Sequence, residues 1–113
     1  MEPMYCYRAI TERVIDGDTY RLSVDLGFRC SVSIEGRLQG VNCPELDTED
    51  GKKAKAYVVG LLTPVASPAT SLVIMSYKDE RSFARWIVTI WLPNGESLAQ
   101  HLIESKMAEV MTR

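Results

Sequence analysis

Residues 19–36, "TYRLSVDLGFRCSVSIEG", alternate apolar and polar side chains in two runs separated by Gly27. In the first run Tyr20, Leu22, Val24 and Leu26 share one face, and Thr19, Arg21, Ser23 and Asp25 share the other. In the second, Phe28, Cys30, Val32 and Ile34 are expected to face inward. A period of two puts successive side chains on opposite sides of a pleated strand, so the runs read as an antiparallel hairpin with one buried face. Upstream, residues 5–15 are expected to form a third strand that enters the hairpin through the Asp16-Gly17-Asp18 turn. Short consecutive strands joined by tight turns point to a meander or a barrel.

After the hairpin the period changes. In residues 48–62, "TEDGKKAKAYVVGLL", the apolar positions Ala54, Tyr57, Val58, Leu61 and Leu62 have the spacing of one helix face. Glu49 and Asp50 at its start suit the positive end of the helix dipole. "TPVASPAT" (63–70) reads as a loop, because two prolines within it end any helix. "SLVIMSY" (71–77) and "RWIVTIWL" (85–92) are rich in strand formers, and Pro93-Asn94-Gly95 is a turn. Trp86 and Trp91 have opposite parity, so at most one enters the core, and Trp86 is expected to be partly exposed. Ser97 and Gln100 have capping-box spacing ahead of Leu98, Leu102 and Ile103, with His101 an ordinary surface or boundary residue. The order predicts a mainly β (α+β) single domain over 1–113, a five-stranded OB-fold barrel with a helix after strand 3 and a C-terminal helix.

At 113 residues the chain is long enough to bury a core without staples. A net charge of −2 and a pI near 5.4 argue against coating nucleic acid by bulk charge, while leaving room for a local basic groove. Three cysteines with no C-x-x-C pair, and the single His101, argue against a zinc site; the odd thiol count fits a reducing compartment. The opening residues carry no apolar run of signal-peptide length and no stretch is long enough to span a bilayer. A cytoplasmic, membrane-free location is the expectation.

Candidate chemistry gathers in three places. Asp16-Gly17-Asp18 is either a plain turn or a source of hard-cation ligands; an EF-hand does not fit, since its sixth and twelfth positions would be Arg21 and Gly27. Around "RLQGVNCPE" (37–45) the strand period is expected to break at Gly36, Gly40 and Pro44. The segment is either a solvated loop, or it supplies a guanidinium for phosphate (Arg37) and a carboxylate that takes a proton from water (Glu45). Lys78, Arg81 and Arg85 flank the start of the last strand, with Phe83 placed to stack on a base or to pack in the core. Lys52, Lys53 and Lys55 form either a solvated helix face or a phosphate-steering cluster.

Taken together, "VIDGDT", "RLQGVNCPE" and "SFAR" ahead of "WIVTIWLPNGESLAQHLI" resemble the staphylococcal (thermo)nuclease family across residues 10–111. The resemblance implies an OB-fold barrel and calcium-dependent cleavage of DNA and RNA to 3′-phosphate ends. It implies Asp18 as the principal calcium carboxylate with Asp16 behind it, and Arg37 and Arg85 as the two arginines that neutralise the transition state. Glu45 corresponds to the residue proposed as general base, and Cys43 to the residue whose backbone carbonyl meets the metal. Asn42 departs from the pattern, standing where the family has a second metal-binding aspartate; weaker calcium binding, with Mg²⁺ or Mn²⁺ competing, is the expectation. Ser82 and Phe83 replace a lysine and a tyrosine on the substrate side, leaving Phe83, Lys78 and Arg81 as the expected substrate contacts. The expected partner is single-stranded or flexible DNA or RNA. The alternative is a weak or inactive OB module that binds single-stranded nucleic acid or a protein.

Overall fold

A computed structural model describes residues 5–62, 71–77 and 86–110. Strands β1 (Cys6–Asp16), β2 (Thr19–Gly27) and β3 (Cys30–Leu38) form the expected meander. After the two-residue strand β4 (Val41–Asn42) come helix α1 (Glu49–Leu62), β5 (Leu72–Tyr77) and β6 (Trp86–Trp91). Helix α2 (Leu98–Glu104) and a second short strand, β7 (Glu109–Val110), complete the described chain. The five long strands close a barrel in the order β1-β2-β3-β6-β5, and β5 returns to pair with β1. This is an OB-fold-like α+β architecture. Every neighbouring pair is antiparallel except β3 and β6, which run parallel from Gly36–Trp86 to Leu38–Val88.

The barrel interior follows the sequence period. Tyr20, Leu22 and Val24 of β2 meet Ile74 of β5 and Val88 and Ile90 of β6, all buried. Helix α1 packs against β1 and buries Ala54, Val58 and Leu62, with Tyr57 and Leu61 half-covered. Helix α2 seals the β6 side with Leu98 and Leu102. Its Ser97 cap accepts from the Gln100 N–H at 3.3 Å, but the Gln100 side chain turns to Glu104, so only half of the capping box forms. His101 pairs with Glu96 at the surface. Trp86 is 47% exposed and Trp91 half-covered, in line with their opposite parity.

The end of the first run and the second half of the hairpin correct the sequence reading, for Leu26, on the face shared with Tyr20, Leu22 and Val24, is exposed. Ile34 is half-buried, but Phe28 is 101% exposed, Val32 is 43% exposed and Cys30 is exposed as well. Two physical reasons account for this. Phe28 and Arg29 are the central residues of the turn, with φ of 54° and 61°, so Phe28 belongs to no strand face. Further along, β3 has a second neighbour among the described residues only from Gly36 to Leu38, so its outer half is left exposed at Val32. The reading of residues 63–70 as a loop lies outside the described residues. Among the described residues no helix is long and apolar enough to cross a membrane.

Candidate cation and phosphate site

Where β1 turns into β2, Asp18 is drawn under the chain. Its backbone carbonyl accepts from the Leu38 N–H at 2.8 Å, which clips the turn to the end of β3. Its carboxylate is 10% exposed: Oδ1 accepts from the Thr19 hydroxyl at 3.2 Å, and Oδ2 accepts from the Cys43 N–H at 3.0 Å. Gly17 makes this approach feasible, since a Cβ there would lie 2.7 Å from Cys43 Sγ and 3.0 Å from Ala54 Cβ. The buried Tyr20 hydroxyl donates to the Gly17 carbonyl and braces the turn from inside the barrel.

Arg37 reaches the same place from β3. Its Nη2 lies 3.5 Å from Asp18 Oδ2 and donates to Asn42 Oδ1 at 3.2 Å, while Nη1 contacts the Leu38 carbonyl at 3.5 Å. Asn42 is fixed through its backbone, because β4 pairs with β7 through Val41–Val110 and Asn42–Glu109. Asp16 stands behind Asp18, its Oδ1 accepting from the Asp18 N–H at 3.0 Å. Asp16, Asp18, Arg37, Asn42 and Cys43 therefore converge from three stretches of chain.

The electrostatics distinguish the two aspartates. Burial, and then the hydrogen bond with the Asp18 side chain, raise the pKa of Asp16 above the ordinary carboxylate value. Burial also pushes Asp18 upward, but the Asp16 side chain, the Cys43 N–H, the Arg37 charge and the Thr19 hydroxyl outweigh it and leave Asp18 lowered. The pair thus behaves as one carboxylate that stays ionised and one that holds its proton longer. Burial, with Asp18 and Asp16 adding to it, pushes the Cys43 thiol up to about 12, so Cys43 is no thiolate nucleophile at neutral pH.

Among the described residues, no group of three or more His, Cys, Asp or Glu side chains gathers as a metal cage. The oxygens gathered here are fewer: the Asp18 carboxylate, the Asn42 amide oxygen and, behind them, the Asp16 carboxylate that accepts from the Asp18 N–H. Oxygen donors of this kind suit a hard divalent cation. The residues fit such an ion, with less negative charge than three carboxylates would supply.

Glu45 lies two residues past Cys43 on an exposed loop, and among the described residues its carboxylate has no hydrogen-bond or ion-pair partner. Its backbone is nonetheless held. The Glu45 carbonyl accepts from the Thr48 N–H at 3.0 Å and from the Thr48 hydroxyl at 2.6 Å. Thr48 Oγ1 accepts in turn from the Gly51 N–H at 3.0 Å, so the residue that caps α1 also pins the loop. A threonine immediately before Glu49-Asp50 is a legible cap signal in the sequence. The roles of Gly17 and Gly51 carry no sequence signal of their own, because both are defined by contacts across the fold.

Arg85, Lys78, Arg81 and Phe83 lie outside the described residues. Trp86, which follows Arg85 in the chain, pairs with Gly36, the residue before Arg37. No protein-family model matches this chain, and neither does any curated protein with which it was compared.

Proposed function

We propose that this protein is a metal-dependent nuclease of the staphylococcal nuclease type, hydrolysing phosphodiester bonds of single-stranded or flexible DNA or RNA. The observation that carries this reading is the convergence of Asp18, Arg37 and Asn42 on one spot, with Asp16 behind them. A barrel that needed only stability would gain little from burying two adjacent carboxylates beside an arginine.

Arg37 uses Nη2 and Nη1 to fix its plane against Asn42, Asp18 and the Leu38 carbonyl, and a guanidinium has five N–H donors in all. Its remaining donors are free for a phosphate oxygen, where fixed positive charge favours the extra negative charge of the transition state. Arg85, next to the β6 residue that pairs beside Arg37, would supply the second guanidinium. Glu45 takes the proton of the attacking water; the new bond joins that oxygen to phosphorus, and the bond to the 5′-oxygen breaks. The products are a 3′-phosphate end and a 5′-hydroxyl end, the latter protonated from solvent. A divalent cation held by Asp18, Asn42 and the Cys43 carbonyl, with Asp16 behind, would lend positive charge to the reacting phosphate. Calcium suits this oxygen set, and Mg²⁺ or Mn²⁺ are its competitors.

The second reading is a binding module without hydrolysis. Asn42 favours it: where a carboxylate would add negative charge for a cation, this residue offers a neutral oxygen already engaged by Arg37. Cleavage of a labelled single-stranded DNA oligonucleotide with Ca²⁺, Mg²⁺, Mn²⁺ or EDTA, beside Glu45→Gln, separates the two. Metal-dependent cleavage that the variant loses supports the nuclease. Binding without cleavage across all metals leaves the module. Equal cleavage by the variant removes Glu45 from the mechanism.

A further inference from the structure

Beside the site, and sharing Asn42 and Cys43 with it, a cleft of about 490 Å³ opens between the start of α1 and the segment that joins α2 to β7. That volume lies within the range of ligand-binding clefts. Lys53 of α1 and Lys106 of the α2–β7 segment both line it. Of the three lysines near the start of α1, Lys53 alone does so; Lys52 and Lys55 do not. Neither the Lys53 nor the Lys106 ammonium has a hydrogen bond or ion pair among the described residues, although Asp50 and Glu109 line the same cleft. Two ammonium groups without a direct ion-pair partner among the described residues remain available to an anion from outside.

Lys106 is also held in place by its backbone. It has a φ of 62°, its N–H bonds the Ile103 carbonyl at 3.1 Å, and the Met107 N–H bonds the Leu102 carbonyl at 2.9 Å. This is the helix-ending pattern in which glycine is the usual residue, since it alone adopts the left-handed conformation without strain. A lysine there keeps the helix end at some cost and adds a cation to the cleft wall.

We infer that this cleft receives a backbone phosphate of the substrate strand next to the cleaved bond, contacted by Lys53 and Lys106. The inference rests on the nuclease reading of the adjoining site. Asn42, which accepts from Arg37, also lines this cleft, so a phosphate at Arg37 has the cleft and its two lysines beside it. Because Asp50 and Glu109 cancel the formal charge, attraction depends on these two groups and not on a broad positive field.

The test compares wild type, Lys53→Gln/Lys106→Gln and Lys53→Arg/Lys106→Arg on a single-stranded DNA octamer and on a dinucleotide, with octamer binding measured in EDTA across a salt series. The expected result is a higher KM for the octamer in the glutamine variant, an unchanged kcat, an unchanged KM for the dinucleotide and recovery in the arginine variant. The slope of log affinity against log salt should fall by about 0.7 for one lost phosphate contact. An octamer KM and salt slope equal to wild type would overturn the subsite while leaving hydrolysis intact. If wild type binds the octamer without cleaving it, the nuclease reading fails. The salt slope then still decides the subsite: a reduced slope in the glutamine variant supports it, and an unchanged slope overturns it.

Discussion

A Cβ on Gly51 would lie 1.8 Å from the Glu45 carbonyl oxygen and 2.5 Å from its carbonyl carbon, so the first turn of α1 rests on the backbone of the proposed base. Alanine in a helix normally stabilises by about 0.5–1 kcal/mol relative to glycine. At Gly51 the sign should reverse, with a loss of about 1–3 kcal/mol from overpacking. Gly60, in the same helix with open space around it, is the internal control and should follow the ordinary rule on substitution by alanine. Thermal unfolding of the two variants checks the pair, and Gly51→Ala should also lower kcat by displacing Glu45.

Asp16 and Asp18 should respond to neutralisation in opposite directions. Asp18 has a lowered pKa, so its stabilising contribution is present above the ordinary value of 3.8 and is lost as pH falls through the lowered folded value. Asp18→Asn should therefore destabilise at pH 7, by about 1–3 kcal/mol, because the Arg37 charge loses its counter-ion. Asp16 has a raised pKa, so its ionised form costs stability above the folded value and nothing below 3.8. Asp16→Asn keeps an oxygen for the Asp18 N–H and should raise Tm at pH 7, with the gain fading as the solution is acidified. Unfolding curves at pH 7 and pH 3 without metal read both effects.

The three thiols should divide by position. Cys6 and Cys30 are exposed and Cys43 is buried, so a thiol reagent at pH 8 should label two sites in the native protein and three after denaturation. Cys43 has an ordinary value of 9.0 that rises to about 12 in the fold. Above pH 9 the unfolded thiol ionises while the folded one keeps its proton, so stability should fall from pH 9 towards 12. In Cys43→Ala that part of the alkaline loss should disappear.

Introducing a carboxylate at position 42 should strengthen cation binding. Asn42 already sits within reach of Arg37, and Asn42→Asp adds a negative charge beside Asp18 without lengthening the side chain. The Ca²⁺ concentration that gives half of the metal-induced rise in Tm should drop by about tenfold or more, since ligand charge tunes such sites over orders of magnitude. EDTA should return wild type and variant to their metal-free Tm. An unchanged metal response would place the cation elsewhere.

The hairpin tip stores strain that substitution should release. Phe28 and Arg29 both have positive φ, a geometry for which Asn-Gly is preferred in two-residue turns. Phe28→Asn/Arg29→Gly should raise stability by about 1–2 kcal/mol, read as an increase in Tm. Because Phe28 is fully exposed, no core contact is lost to offset the gain.

The five long strands, the two helices and most of the inward faces were legible in the sequence, whereas the short strands β4 and β7 were not. Alternation at Tyr20, Leu22 and Val24, and helical spacing at Ala54, Val58 and Leu62, are local periodicities that burial reproduces directly. Turns and breaks in period brought Asp16, Asp18, Arg37 and Glu45 into view as candidates, and the family resemblance added Asn42 and Cys43. How far the period holds is a matter of tertiary contacts: Val32 continues the alternation but stands exposed, since among the described residues β3 has no neighbour there beyond β2. Tertiary structure also decided the state of each candidate. Asp18 is lowered and Asp16 raised because of which donors and charges surround them, and Gly17 and Gly51 matter because other segments press against them. Such contacts join residues far apart in the chain, and one-dimensional spacing carries no record of them.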